Sequence, residues 1–340
     1  MSAAATILGC EGPVLGQEER AFFRAADPWG FILFARNVET PAQLRRLTAE
    51  LREAVGRDAP VFIDQEGGRV ARMQAPHWRT WAPPLDQVAR AATRGIAGWP
   101  ARSMWLRYRL IADELAAVGI DGNCAPVGDV AGPATHPFLR NRCYGETPGL
   151  VAEIGRAVAD ALLAGGVLPV VKHMPGHGRA AGDSHTDLPR AEATRAELVA
   201  RDFAPFRALA DLPLGMTAHV VYPALDLSAP ATLSRAAIRA IRDEIGFAGL
   251  LMSDDIGMGA LSGSLDARAR GALAAGCDVV LQCNGTLAEM EEVVAAAGRL
   301  TEAGQGRAEA ALACRRPARP IDIPALEAEL EALLAGRENA

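Results

Sequence analysis

Eight short apolar runs, each closed by a polar or glycine-containing turn, limit what this 340-residue chain can become. They are residues 6–10 (TILGC), 31–34 (FILF), 61–64 (VFID), 119–126 (GIDGNCAP), 167–173 (VLPVVKH), 214–219 (LGMTAH), 250–255 (LLMSDD) and 278–283 (DVVLQC). Runs of this length between turn residues read as buried strands. Helical patterns separate most of them. Residues 41–55 carry Leu44, Leu47, Leu51 and Val55 on one face, with Thr40 as N-cap and Pro41 at the first helical position. Residues 235–245 place Ile238, Ile241 and Ile245 on one stripe between Ser234 and Gly246, a start and a stop signal. Residues 287–300 repeat the spacing through Met290, Val293, Val294 and Leu300. Alternating strand and helix implies parallel strands joined by crossovers. Eight repeats favour an α/β fold of the closed (β/α)8 TIM type over an open doubly wound sheet.

One domain, residues 1–340, accounts for the pattern. Pro317, Pro320 and Pro324 precede an Ala/Leu/Glu-rich stretch to Leu334, which makes residues 318–340 a terminal helical extension packed on the barrel. Half of the residues are hydrophobic and 22% are charged, enough for a sizeable core. Forty-one acids against 35 Lys and Arg give a net charge of −6, with no basic block, so nucleic acid is not an expected partner. The acidic balance suits a soluble protein acting on a small molecule, and a barrel with no evident sticky stripe is expected to be a monomer. The six cysteines form no C-x-x-C pair, which argues against a zinc site or a disulfide framework and for a reducing compartment. No apolar run approaches the ~20 residues of a membrane span. Only nine residues precede Cys10, too few for an export signal, so a cytoplasmic location is expected.

The chemistry concentrates at the ends of the runs. Asp64, Lys172, His173, His219, Asp254 and Asn284 all fall at predicted C-terminal strand ends, where barrels of this type build their sites. Residues 172–189 (KHMPGHGRAAGDSHTDLP) hold three of the six histidines, with glycines that permit sharp turns. Asp183, two residues before His185, can take its Nδ1 proton and leave the other nitrogen to move protons near neutral pH. A loop cap with a packed histidine is the bland alternative. Metal binding through His173, His177, Asp183 and His185 is another, although Pro175 and Gly176 forbid the helix that a four-residue spacing wants. In Ser253-Asp254-Asp255 one carboxylate can point into the barrel mouth as nucleophile or base while its neighbour caps the next element, since adjacent strand positions face opposite ways. In the segment from Asp64 to Arg72 a glycine pair lets backbone approach a ligand, and a Glu66–Arg69 ion pair is expected. Arg142 taken alone reads as a surface arginine.

Together these segments resemble the family 3 glycoside hydrolases, and more narrowly the single-domain bacterial β-N-acetylglucosaminidases of peptidoglycan recycling. The carrying residues are GFILFARN (30–37), IDQEGGRVAR (63–72), NRCYGE (141–146), KHMPGHG (172–178), GDSHTDLP (182–189), MTAHVVYPALD (216–226) and LMSDDIGMGA (251–260). The resemblance implies a retaining mechanism without a cofactor or metal. Asp254 would be the nucleophile at the anomeric carbon. His185 would be the acid and then the base, with Asp183 as its partner. Asp64, Arg72, Arg142, Lys172 and His173 would hold the N-acetylglucosamine. The implied substrate is a cytosolic muropeptide in which GlcNAc is joined to 1,6-anhydro-N-acetylmuramic acid. Phosphorolysis, metal-dependent hydrolysis and a non-catalytic sugar-binding barrel stand as alternatives. Met174 departs from a more usual phenylalanine, Cys143-Tyr144 from Ser-Phe, and residues 179–182 lack the acidic residues often found there.

Overall fold

A computed structural model describes residues 2–180 and 188–336. Ten strands are β1 (Ala4–Gly9), β2 (Pro28–Leu33), β3 (Val61–Ile63), β4 (Gln65–Gly67), β5 (Val70–Ala71), β6 (Gly122–Asn123), β7 (Leu168–Met174), β8 (Leu214–Thr217), β9 (Leu250–Asp255) and β10 (Val279–Gln282). Eight of them close into a parallel barrel in the order β1-β10-β9-β8-β7-β6-β3-β2, with the helices outside. Each predicted run supplies one barrel strand. The ring is sealed where Thr6 pairs with Val280.

The additional pair is a β4–β5 antiparallel hairpin set just after β3. It is too short to show a period in the sequence. Arg107, fully buried, pins it by donating to the carbonyls of Glu66 and of Ala82 and to Gln87 Oε1. Gly67 has φ +90, and a Cβ there would fall 1.9 Å from Arg107 Nη2, so the position needs glycine.

Alternation along the strands fills the barrel and then arms it. Phe62, Leu168, Val170, Met216, Leu250, Met252 and Leu281 form one buried apolar cluster. Val171 and Leu251, one residue out of phase, belong to the separate cluster under the helices. Continuing the inward series by two residues reaches Asp64 just past the end of β3, Lys172 on β7 and Asp254 on β9. The polar site is thus the next layer above an apolar plug.

The helix over Pro41–Val55 begins as its signals predict, with Thr40 Oγ1 accepting the Gln43 N–H at 3.2 Å. The helix from Arg235 relaxes into a π-helical segment over Ala240–Ile245 and stops at Gly246. The next pattern ends at Ala297 rather than at residue 300. Gly298 turns the chain at φ +64, and the Leu300 N–H is taken by the carbonyl of Ala3 beside β1. A last helix, Ile323–Leu334, sets Leu330 against Leu106 and Leu110 of the helix Trp99–Ala116. Arg102 and Glu329 pair across that contact. No helix among the described residues is long and apolar enough to cross a membrane.

Candidate active site

A cleft of about 260 Å³ opens at the C-terminal ends of the strands, and Asp64, Arg72, Arg142, Lys172, His173 and Asp254 all line it. Lys172 Nζ donates to Asp64 Oδ1 and to Glu66 Oε1, both at 2.7 Å. Arg142 grips Glu66 with two arms, Nε to Oε2 at 2.9 Å and Nη2 to Oε1 at 2.8 Å. Arg72 Nη2 lies 3.4 Å from Asp64 Oδ2. Three cations therefore face two carboxylates, a cluster that suits the hydroxyl and carbonyl oxygens of a polar ligand. Burial by itself would raise the Glu66 carboxyl, but Arg142 and Lys172 outweigh it and hold the group at about 2. Asp64 is likewise held well below the usual carboxylate range, its burial outweighed by Lys172 and Arg72. Burial lowers Lys172, and the charges of Asp64 and Glu66 more than restore it.

The neighbouring imidazole is fixed from behind. Asp129, fully buried, places Oδ2 at 2.7 Å from His173 Nδ1 and accepts the His177 N–H on Oδ1 at 2.7 Å. A carboxylate only accepts, so the network assigns the His173 proton to Nδ1 and leaves Nε2 towards Arg142 Nη2, 3.5 Å away. Lys172 and His173 both line the cleft although they are adjacent. The β7–β8 register shifts between Val171 and Met174, which re-aims the strand end.

Asp254 is different. Burial pushes its carboxyl up, but His219 and His173 prevail and hold it below its ordinary value, so it is ionised at neutral pH. Its Oδ1 accepts the N–H of Asp255 at 2.8 Å. Among the described residues no lysine or arginine forms an ion pair with it. Asp255 also lines the cleft, contrary to the opposite facing of adjacent strand positions, because the β9–β10 register shifts between Val279 and Leu281. Its Oδ1 accepts from Gly257 N at 2.9 Å and Cys283 N at 3.1 Å, and burial raises its carboxyl.

The architecture and this cleft agree with a sequence-family match. The model described as glycosyl hydrolase family 3 N terminal domain matches residues 16–311. The chain belongs to this family. A beta-hexosaminidase of Alkalilimnicola ehrlichii is 40% identical over 283 residues, 82% of this chain and 80% of its own. Another, from Methylococcus capsulatus, is 38% identical over 327 residues and 94% of both chains. Among solved structures, NagZ from Neisseria gonorrhoeae in complex with N-trifluoroacetyl-D-glucosamine superposes with a TM-score of 0.84 at 29% identity, covering 99% of this chain and 97% of that one. A family 3 β-N-acetylglucosaminidase from Paenibacillus sp. str. FPU-7 gives 0.81 at 29% identity, and 99% of this chain spans 63% of that protein. The chain is an enzyme, a glycoside hydrolase of the β-hexosaminidase type.

Within this family 3 enzyme, Asp183 and His185 lie outside the described residues. His219 does not line the cleft. Its Nε2 donates to the carbonyl of Asp255 at 2.9 Å and its Nδ1 meets Thr232 Oγ1 at 2.7 Å, so it braces the end of β9. Asn284 lines the cleft, tied by its Oδ1 to Arg36 Nη1 at 2.6 Å. The Glu66–Arg69 ion pair does not form. Glu66 turns inward to Arg142 and Lys172, while the Arg69 guanidinium lies over the Phe138 ring. Arg142 is buried against Glu66 rather than at the surface. Tyr144, where phenylalanine is more usual, uses its hydroxyl to accept the Val127 N–H at 3.2 Å. Sequence reasoning passed over Glu66 as a cluster member, and Asp129 and Phe138 altogether. Asp129 follows β6 by a few residues, so its position past a strand end was the available signal.

Proposed function

We propose that the enzyme is a retaining exo-β-N-acetylglucosaminidase. It releases terminal GlcNAc from muropeptides carrying 1,6-anhydro-N-acetylmuramic acid, acting as a cytoplasmic monomer through a covalent glycosyl-enzyme. Residues 1–340 work as one catalytic unit, with 318–340 as a helical extension. The single observation that carries the mechanism is the contrast among the four carboxylates at the cleft. Asp64 and Glu66 are clamped by cations, and Asp255 is engaged by two backbone amides with its carboxyl raised. Burial raises the carboxyl of Asp255 and two backbone amides occupy its Oδ1, whereas Asp254 has its carboxyl held low and lies outside any ion pair among the described residues. A nucleophile needs that state, because a carboxylate held by an ammonium has little electron density to spare.

In this reading Asp254 attacks the anomeric carbon while His185, oriented by Asp183, protonates the leaving oxygen and then activates water. A histidine in this role departs from the usual carboxylate pair of retaining glycosidases. It titrates near neutrality without the burial a carboxylic acid would need. Asp64, Arg72, Arg142, Lys172 and His173 hold the sugar's polar groups. Three cations against two carboxylates favour a ligand rich in oxygen acceptors.

The test is product analysis on an anhydromuropeptide disaccharide. Release of GlcNAc that is first seen as the β-anomer supports the proposal. The α-anomer contradicts retention, GlcNAc-1-phosphate formed only in phosphate buffer assigns phosphorolysis, and loss of activity on exhaustive chelation assigns a metal mechanism.

A further inference from the structure

Asn284 sits just past β10 on the wall of the cleft and takes no part in the machinery above. It is held by Arg36, on the turn Ala35–Asn37 that follows β2. This arginine spans the seam where the barrel closes. Its Nε donates to the carbonyl of Cys10 beyond β1 at 3.0 Å, its Nη2 to the carbonyl of Cys283 at 2.7 Å, and its Nη1 to Asn284 Oδ1 at 2.6 Å. Its guanidinium also lies 5.2 Å from the centroid of Phe34, another cleft residue. The seam is tight: a Cβ on Gly9 would fall 2.2 Å from the Cys283 carbonyl oxygen. Bonds to the loops after β1 and β10 thus fix Arg36 although it is exposed. Among the described residues no carboxylate pairs with it.

The pairing settles which way the Asn284 amide faces. A guanidinium only donates, so the atom turned towards it is the carbonyl oxygen. The NH2 group is left over, and among the described residues it has no hydrogen-bond partner. A positive charge on the oxygen side polarises the amide and strengthens its N–H donors. The strand that carries Asn284 borders β9, the strand that carries Asp254.

We propose that the Asn284 NH2 is a specificity-determining donor to an acceptor oxygen of the sugar that Asp254 attacks, and that Arg36 is the positioning residue that presents it. The oxygen belongs to the hydroxymethyl or the acetamido group, both of which offer an acceptor beside a short apolar stem. The inference rests on the glycosidase reading above and adds a contact to its sugar. A purely bracing role for the Arg36–Asn284 pair, holding the seam shut, predicts a different outcome: stability and activity fall together when it is disturbed.

Asn284→Asp separates the two. It places a carboxylate against Arg36, which keeps the seam tied, and it removes the donor. Tm should stay at or above the wild-type value while kcat/KM on an aryl β-GlcNAc falls about tenfold, the scale of one lost hydrogen bond. GlcNAc affinity measured by calorimetry should weaken with it. Arg36→Met should lower kcat/KM a few-fold alone and add nothing in an Asn284→Ala background, since both changes remove one contact. With the aryl 6-deoxy-β-GlcNAc as substrate, the Asn284→Ala penalty disappears if the oxygen is that of the hydroxymethyl group and persists if it is the acetamido carbonyl. Unchanged kcat/KM in Asn284→Asp, or Tm and kcat/KM falling together, overturns the assignment. Should wild type cleave no β-GlcNAc substrate, the glycosidase reading fails, and the calorimetric comparison still decides whether Asn284 holds the sugar.

Discussion

Glu66 Oε1 lies 2.7 Å from Lys172 Nζ, with the carboxylate fully buried and the ammonium nearly so. The same carboxylate takes both arms of Arg142, so one side chain from the hairpin ties two cations together at the base of the cleft. Removing its charge leaves the buried Arg142 without its carboxylate partner, while Lys172 keeps Asp64. Glu66→Gln should cost about 3 kcal/mol of stability, in the range for breaking a buried pair. A urea midpoint that falls with the slope unchanged is the check. A midpoint equal to wild type would mean the cluster is better solvated than its burial implies.

Asp129 sets the orientation of His173 from beneath. Asp129→Asn replaces an obligate acceptor with a group that can donate, which disturbs the proton placement on Nδ1. The expected loss is about 10- to 100-fold in kcat/KM, the scale of orienting partners behind a functional histidine, with the circular dichroism spectrum retained. Activity within twofold of wild type would make Asp129 a packing residue only.

Asp254→Ala should reduce kcat by roughly 10⁴-fold or more, as loss of a nucleophile does elsewhere, while GlcNAc binding persists. The parallel variant Asp255→Ala should be far milder in kcat. If the two results are exchanged, the nucleophile is Asp255.

His185→Ala should depend on the leaving group. Activated aryl glycosides leave with little help and should slow only a few-fold, whereas a sugar leaving group should slow by about 10²-fold or more. Equal losses on both substrates would contradict an acid role.

Acid should unfold the enzyme in two stages. Burial drives His177 from an ordinary 6.5 down to about 4, so the unfolded chain gains a proton first and stability declines as pH falls from about 6.5 to about 4. Glu66 follows the same sign. Its folded value of about 2 against 4.5 means its contribution is complete above about 4.5 and is lost as pH falls towards 2. Tm measured against pH should show both slopes, and His177→Gln should flatten the upper one. A Tm constant from pH 7 to 4 in wild type would refute the first stage.

The barrel was legible because most of its strands announce themselves twice, by an apolar run and by a polar residue at or near its end, as in VFID, VLPVVKH and LLMSDD. The same rule found Asp64, Lys172 and Asp254, since alternation carries them one step beyond the inward apolar series. It could not find the partner of Glu66. That partner is settled by residues 76 and 106 positions away in the chain, Arg142 and Lys172, while Arg69 is the nearer and wrong guess. Adjacent pairs such as Lys172–His173 and Asp254–Asp255 defeat alternation because register shifts at strand ends are a property of the neighbouring strand. The helix after residue 286 stopped short of Leu300 because Gly298 turns the backbone and Leu300 is recruited by Ala3, a contact that periodicity does not encode.

Sealing the ring by pairing β1 with β10 has a consequence for biosynthesis. Of the barrel strands, β1 is made before β10, so it keeps one edge bare until β10 has been translated. Throughout that interval the nascent chain is an open sheet whose unpaired amides can template contact with other polypeptides. Chains terminated before residue 279 should therefore collect as aggregates rather than as half-barrels.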